Sequence, residues 1–144
     1  MESSGSIFVT GHKITPVDHT GGYDMVIGET PAQVQGPPPH FHSKINEIFF
    51  VLEGEMEFIL DGKTRHLKKG DYIDLPLNAI HTFRNPIDAP CKWINIHSPS
   101  GFLAFFKKIG VPVEEENAFE KSVAESVIQE IMKSAADYDM HIRI

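Results

Sequence analysis

The pattern of hydrophobic and polar positions divides the chain into two parts, one up to residue 98 and one from residue 101. In the first part, short runs rich in β-branched and aromatic residues are separated by turn residues about every 8–12 positions. This spacing predicts an all-β sandwich or small barrel rather than alternating strands and helices. The runs that predict strands cover residues 7–14, 23–30, 47–60 (broken by a turn at residues 53–54), 72–75, 81–84 and 92–97.

Three segments rich in glycine, proline, aspartate or asparagine separate these strands. Gly36 and the prolines at 37–39 exclude a helix interior or a central strand, so they predict a rigid, extended approach to His40. Asp61-Gly62, between two β-rich runs, is typical of a two-residue hairpin turn. Residues 76–78 predict another turn, before the strand that starts at residue 81.

The second part of the chain has the period of amphipathic helices. One apolar face, closed by Gly110 and Pro112, consists of Phe102, Phe105, Phe106 and Ile109. Apolar residues four apart predict one further helix, along Phe119, Val123, Val127 and Ile131. Residues 140–144 alternate and predict a short strand. We expect a single domain, 1–144, with a β-core at about 7–98 and a helical cap at about 101–138 that packs on it.

Composition narrows the class of protein. The 144 residues fit one domain, and 41% apolar with 23% charged residues is ordinary for a globular chain. A net charge of −7 without a basic face argues against nucleic acid as a partner. No apolar run reaches 18 residues, so no membrane span is expected, and residues 1–6 lack the features of a secretory signal. Because Cys91 is the only cysteine, no internal disulfide can form, and we expect a cytoplasmic protein.

The residues most informative about function lie between positions 40 and 85. His40 and His42 are two residues apart, so on an extended strand both imidazoles point to one side. Glu47 and His81 also fall on predicted strands. If these strands face a common interior, three imidazoles and one carboxylate converge, a donor set that suits Fe(II), Mn(II), Ni(II), Cu(II) or Zn(II). An octahedral ion would keep two positions open for a substrate or dioxygen.

The spacing around these residues sharpens the pattern. It reads His-x-His-x4-Glu-x6-Gly from His40 onward, and Gly-x5-Pro-x-Asn-x2-His-x3-Asn up to Asn85. The two strings closely resemble the two signature motifs of the cupin superfamily, and the resemblance covers about residues 20–100. Two positions depart from the motifs: Asn78 stands where glycine is usual, and Gly36 lies closer than usual to the first histidine. Asparagine is the next best residue for a left-handed backbone, so we expect the turn to survive.

The resemblance implies a double-stranded jelly-roll β-barrel with C-terminal α-helices and one divalent transition metal in its interior. Carried over residue by residue, the metal ligands are His40, His42, Glu47 and His81, and Glu47 is also the expected catalytic base toward a substrate hydroxyl. Similar barrels commonly pair, so a homodimer is implied as well. Further stretches are most similar to the quercetin dioxygenase-like branch of the superfamily: residues 37–42, 47–54, 98–106 and 135–139.

Strand parity predicts which other side chains face the interior. Phe49 and Val51 share the parity of Glu47, and Phe83 shares that of His81, so we expect these three to line the pocket or fill the core. Strand 92–97 carries Asn95 and His97 on one face and isoleucines on the other, and the pattern leaves open which face points inward. The histidines expected at the surface or as satisfied core groups are His12, His19, His66 and His141.

The leading functional hypothesis, based on the resemblance, is a metal-dependent dioxygenase or related oxidoreductase that acts on a small aromatic or enol-like molecule. Two alternatives stay open. One is a non-catalytic cupin that binds a small molecule or sugar as a sensor, and the other is a metal-dependent isomerase or decarboxylase. In each case the expected partner is a small molecule, with no role for nucleic acid or membrane. The ligand set leaves the identity of the metal undecided.

Overall fold

Two antiparallel β-sheets and a C-terminal group of short helices make up the protein in a computed structural model, which describes residues 5–143. The outer ends of the predicted domain, residues 1–4 and 144, lie outside the described residues. The strands are β1 Ile7–Val9, β2 His12–Pro16, β3 Asp24–Thr30, β4 His40–Phe41, β5 Asn46–Glu53, β6 Glu55–Leu60, β7 Lys63–Lys68, β8 Tyr72–Leu75, β9 His81–Arg84, β10 Cys91–Ser98, β11 Val111–Pro112 and β12 His141–Ile142. The helices are α1 Phe102–Ile109, α2 Ala118–Ser122, α3 Glu125–Ser134 and a 3-10 turn at Ala135–Tyr138.

The strand order confirms the predicted fold class, an all-β jelly roll with helices at its C-terminal end. One sheet has seven strands in the order β11-β1-β2-β3-β10-β5-β8, and the other has five in the order β12-β4-β9-β6-β7. Every pairing within the sheets is antiparallel. The strand predicted at the end of the chain forms as β12, which pairs with β4 so that Ile142 lies opposite His40.

The predicted single strand at residues 7–14 is wrong, because the structure forms a hairpin there. Thr10 and Gly11 take positive φ values of 46° and 87°, and Val9 pairs with His12 across the turn. Such two-residue turns suit the twist of antiparallel strands. The turn predicted at residues 61–62 is confirmed, with positive φ at both positions.

Alternating burial along the strands builds the core between the sheets. The buried positions of β5, β6, β9 and β10 face one another, and their largest rings form a cluster with centroids 5.0–6.0 Å apart. Edge-on and tilted ring contacts of this kind add to the stabilisation from burial. Gly28 of β3 makes room for this cluster, since a Cβ there would lie 2.2 Å from a ring carbon of Trp93. The ring cluster consists of Phe49, Phe58, Phe83 and Trp93.

The helical cap forms, but with one more break than the sequence predicts. Helix α1 agrees with the prediction and buries Phe102, Phe105 and Ile109. The single second helix is wrong, because Val123 and Ala124 leave the helical conformation between α2 and α3. The Ser122 hydroxyl accepts a hydrogen bond from the Gly11 N–H and donates to the carbonyl oxygen of Phe119, which ties the end of α2 to the β1–β2 turn.

None of the helices in the described part of the chain is long and apolar enough to cross a membrane.

Candidate metal centre

Four buried side chains from both sheets meet at one point of the interior. His40 is the first residue of β4, His42 follows that strand, Glu47 is the second residue of β5, and His81 is the first residue of β9. Each side chain offers one ligand atom, and these atoms lie within 4.8 Å of one another. The four residues are 2–6% exposed. The structure therefore brings together the ligands implied by the resemblance, and they could hold a metal ion.

Backbone pairing places these side chains. His40 lies opposite His81 in the five-stranded sheet, whereas Glu47 comes from the seven-stranded sheet. The turn before β9 is fixed to the site because the Asn78 N–H donates to the carbonyl oxygen of His42 at 2.8 Å. Asn78 has a φ of 68°, so asparagine takes the left-handed conformation expected at this motif position. The site thus rests on strand ends and a tight turn, not on a mobile loop.

The approach to β4 uses the glycine that departs from the usual motif spacing. The Gly36 N–H donates to the Phe83 carbonyl oxygen at 2.8 Å, and a Cβ at Gly36 would lie 2.4 Å from that oxygen. Only glycine allows this close approach of two backbones. The extended prolines that follow then deliver His40 to its place opposite β9.

The three histidine ligands share one tautomer. Each Nδ1–H donates to a backbone carbonyl oxygen: His40 to Pro38 at 2.9 Å, His42 to Asp139 at 2.8 Å and His81 to Ala79 at 3.0 Å. A carbonyl oxygen only accepts, so each Nδ1 carries a proton, and in the neutral form of each ring Nε2 keeps its lone pair. Burial opposes a charge on His42, but the contacts with Glu47 raise its pKa above the ordinary value. Burial lowers the pKa of His40 to about 3, which keeps that imidazole neutral.

These lone pairs point at a carboxylate oxygen. His42 Nε2 lies 3.2 Å and His81 Nε2 lies 3.1 Å from Glu47 Oε1, yet among the described residues neither nitrogen nor Oε1 has a hydrogen-bond partner. Buried lone pairs that face one another without a proton or a cation between them are costly. A divalent cation among them would satisfy all three atoms. The donor set therefore fits a transition metal, with nitrogen and oxygen ligands and room for further ones.

The other carboxylate oxygen is held by strand β10. Asn95 Nδ2 donates to Glu47 Oε2 at 2.9 Å and to the Ile48 carbonyl oxygen at 3.2 Å, and His97 Nε2 lies 3.0 Å from the same Oε2. Burial alone would raise the pKa of Glu47, but the charge of His97 and the contacts with His42, His81 and His97 together hold the pKa well below its ordinary value. Glu47 is thus ionised, with Oε2 bound by the Asn95 amide and Oε1 left for a metal.

Asp139, near the C-terminus, binds the loop between His42 and Glu47. Both carboxylate oxygens of Asp139 are used there: Oδ1 accepts from the Ser43 N–H and hydroxyl, and Oδ2 accepts from the N–H groups of Lys44 and Ile45. Burial alone would raise the pKa of Asp139, but hydrogen bonds from Ser43, Lys44 and His141 hold that pKa far below its usual range. Sequence reasoning missed this residue, which lies 97 positions from His42.

A cavity of about 250 Å³ opens above the site. Among the residues expected to line it, Phe49, Phe83 and Asn95 do so. Val51 is fully buried in the core, and His97 contacts Glu47 instead, so neither contributes to the cavity wall. The further lining residues come from the β1–β2 hairpin, the segment before β4, β10 and the helical cap: Val9, Thr10, His12, Ile14, Gly36, Pro37, Pro38, Trp93, Phe102, Phe105, Phe106, Ile109, Val123, Ile128, Ile131, Met132 and Met140.

His12 illustrates a buried histidine that is not a ligand. Its Nε2–H donates to the Gln35 carbonyl oxygen at 3.1 Å, and its Nδ1 accepts from the Thr30 hydroxyl at 3.0 Å. The Thr30 oxygen in turn accepts from Trp93 Nε1–H at 2.9 Å. Burial lowers the pKa of His12 to about 4. As expected, this is a satisfied core group.

Comparisons with known proteins agree with the fold. Residues 28–97 match the family described as the cupin domain. The chain is 30% identical over 115 residues to quercetin 2,3-dioxygenase of Bacillus subtilis (strain 168), an alignment that covers 76% of this chain and 34% of that protein. The chain thus spans about a third of the length of this curated relative.

Solved structures show the same architecture. KdgF from Halomonas sp. superposes with a TM-score of 0.57 at 27% identity, covering 62% of this chain and 79% of that one. An RmlC-like cupin from Shewanella frigidimarina superposes with a TM-score of 0.59 at 21% identity, covering 69% of this chain and 87% of that one. The second likeness concerns the fold alone.

Proposed function

Because the chain belongs to the cupin superfamily and gathers four metal-ligating side chains in its interior, we propose that it is a metal-dependent oxidoreductase, a dioxygenase acting on a small aromatic or enol-like molecule. The observation that carries this proposal is the pair of unpartnered imidazole nitrogens of His42 and His81 facing the unpartnered Oε1 of Glu47. The reaction type draws its support from the similarity to quercetin 2,3-dioxygenase.

The metal would be a single divalent transition ion held by His40, His42, Glu47 and His81. When bound, a redox-active ion of this kind supplies Lewis-acid activation of a substrate oxygen and a path for electron transfer. Carbonyl acceptors on each Nδ1 keep the three imidazoles oriented and basic.

The chain's own residues accept the substrate proton and exclude water. Glu47 serves as a ligand through Oε1 or, when detached, accepts the proton of a substrate hydroxyl at that oxygen, while Asn95 keeps Oε2 in position. The apolar walls above the site exclude water from the reacting centre. A substrate with an acidic hydroxyl next to a carbonyl group, as in an enol, suits this arrangement. Homodimerisation stays a prediction.

The proposal is tested first by elemental analysis of the purified protein beside His81→Ala. We expect close to one Fe, Mn, Ni or Cu per chain in the wild type and its loss in the variant. His66→Ala, which removes a half-exposed histidine of β7, is the matched control and should keep the metal. If His81→Ala fails to fold, as judged by circular dichroism, His81→Gln takes its place.

Oxygen uptake then tests the reaction type, with quercetin as the first probe because the curated relative acts on it by name. Consumption of one O2 per molecule of quercetin, absent from His81→Ala, supports a dioxygenase. Turnover that continues without oxygen would indicate an isomerase or decarboxylase instead. A wild type that holds no metal, and takes up none on reconstitution, overturns the proposal.

A further inference from the structure

The walls of the cavity above the metal centre differ sharply from its floor. The floor carries the imidazoles of His40 and His81 and the carboxylate of Glu47, whereas the walls are almost entirely aliphatic and aromatic. Among the described residues that line the cavity, none is a lysine or arginine. A ligand with a phosphate or other charged body would therefore be desolvated there without a partner for its charge.

The polar side chains in the walls offer no free N–H group. His12 Nε2–H donates to a backbone carbonyl, Trp93 Nε1–H donates to a threonine hydroxyl, and both amide hydrogens of Asn95 are used on Glu47 and Ile48. Among the lining residues that the structure describes, only the hydroxyl of Thr10, in the half-buried β1–β2 turn, is left as a side-chain donor. A sugar, with several hydroxyl groups to satisfy, would lose hydrogen bonds to water on entering this space.

The entrance to the cavity is apolar too. Val123, Ile128 and Met132 line the cavity and are also 41–46% exposed to solvent, so they mark the mouth on the side of α3. The β1–β2 hairpin lies beside this mouth, since a Cβ at Gly11 would lie 3.5 Å from the Val123 side chain. A ligand that enters past the three exposed side chains meets hydrocarbon from the surface to the metal centre.

The volume of the cavity sets the scale of the ligand. An apolar cavity of roughly 150 Å³ is enough to hold benzene. At about 250 Å³, this cavity admits a molecule larger than a single ring.

From these observations we infer that the site takes a ligand with an uncharged, apolar body larger than one ring and a single oxygen-bearing head, which enters past α3 with its head toward the metal centre. This inference rests on the proposed function for the role of the head, and on the cavity walls alone for the body. The same walls exclude sugars, which would lose hydrogen bonds, and polyanions such as sugar phosphates, whose charge would have no partner.

The test uses metal ligands that share one head and differ in body. Acetohydroxamate, benzohydroxamate and 2-naphthohydroxamate are titrated into Zn(II)-loaded protein by calorimetry, with 4-carboxybenzohydroxamate as the charged body. We expect Kd to fall about tenfold from the methyl to the phenyl body and again to the naphthyl body, because each added ring buries apolar surface. The carboxylate should cancel the gain of the phenyl ring.

Two variants on one helix locate the path. Ile128→Glu places a charge at the mouth and should raise the Kd of 2-naphthohydroxamate several-fold while leaving that of acetohydroxamate unchanged. Gln129→Glu adds the same charge at the next, exposed position outside the cavity and should leave both unchanged. Equal affinities for the three bodies, tighter binding of the charged body, or equal effects of the two variants would overturn the inference.

Failure of the metal centre is distinguishable from failure of this inference. If the protein binds no divalent transition metal, Zn(II) included, the proposed function fails, and 2-naphthol titrated into the metal-free protein still tests the cavity. Binding of 2-naphthol that Ile128→Glu weakens and Gln129→Glu does not would uphold the apolar body, and absence of binding would overturn it.

Discussion

His97 lies directly opposite Glu47 in the ladder between β10 and β5, and its Nε2 is 3.0 Å from Glu47 Oε2. The register of two central strands therefore sets the position of the one acidic ligand. Asn95, two residues earlier on the same face, donates to the same oxygen. Glu47 is consequently oriented by backbone pairing and not by its own rotamer preference, which leaves Oε1 directed at the imidazoles of the other sheet.

Asn95→Ala should weaken metal binding without unfolding the protein. The change removes the donor that fixes Glu47 Oε2, and loss of such an outer partner typically lowers metal affinity about 10–100-fold. The measurement is competition for Zn(II) with a chromophoric chelator, together with the Co(II) absorption spectrum, which should shift as the carboxylate moves. Unchanged affinity and an unchanged spectrum would show that Asn95 does not orient Glu47.

Asp139→Asn should loosen the loop between the ligands. An amide keeps one acceptor oxygen but cannot replace the second, so at least the hydrogen bonds from Lys44 and Ile45, or those from Ser43, are lost. We expect a loss of about 2 kcal/mol in the free energy of unfolding, typical of hydrogen bonds to a charged group. Urea denaturation of the metal-free protein measures it.

A second readout separates this role from a merely structural one. Because the Asp139 carbonyl oxygen also orients His42, the Zn(II) affinity of Asp139→Asn should fall about tenfold. Asp137→Asn, an exposed neighbour with the same change of charge, is the matched control and should alter neither quantity. If both variants change stability and Zn(II) affinity alike, the effect is one of net charge, and the hydrogen bonds of Asp139 to residues 43–45 have no role.

His12 should make the metal-free protein less stable as the pH falls. Burial lowers its pKa from 6.5 to about 4, so between these values the unfolded chain binds a proton that the folded chain excludes. Stability is therefore full above pH 6.5 and declines as the pH drops toward 4, by up to about 3 kcal/mol from this residue. A protonated ring would also lose the hydrogen bond that its Nδ1 accepts from Thr30.

The difference between the wild type and His12→Gln isolates this contribution from that of the other histidines. Urea denaturation at pH 7 and pH 4.5, with a chelator present, should show a smaller loss on acidification in His12→Gln than in the wild type. His19→Gln, at an exposed position, should follow the wild type. An equal pH dependence in His12→Gln and the wild type would contradict the prediction.

Much of the fold could be predicted from the chain because strands carry their signal locally. The alternation in β5 and β9 predicted which side chains face inward, and the Asp61-Gly62 turn followed from residues that favour positive φ. Local signals failed where a distant contact decides the conformation. A hydrogen bond from the Gly11 N–H to the Ser122 hydroxyl joins the hairpin at Thr10-Gly11 to the end of α2, a contact between residues 111 positions apart.

In the site, too, some features could be predicted from the sequence and others depended on distant contacts. The resemblance to the two cupin motifs implied the ligand set of His40, His42, Glu47 and His81. Strand parity by itself placed only His40 and His42 on one side. The sequence did not show which face of β10 points inward, because both faces of that strand carry large apolar residues. Pairing with β3 and β5 decided it, and it turned Trp93, Asn95 and His97 inward.

The sequence by itself thus determined the all-β class and the turns, which depend on residues a few positions apart, and its resemblance to the cupin motifs named the candidate ligands. Only the tertiary structure decided the tautomers of the imidazoles and the hydrogen bonds of Asp139 to the loop between His42 and Glu47. It also decided the hydrogen bond from Asn95 of β10 to Glu47 and the apolar lining of the cavity beside α3. Those features join residues dozens of positions apart, and no local period or propensity records which distant backbone group a side chain will meet.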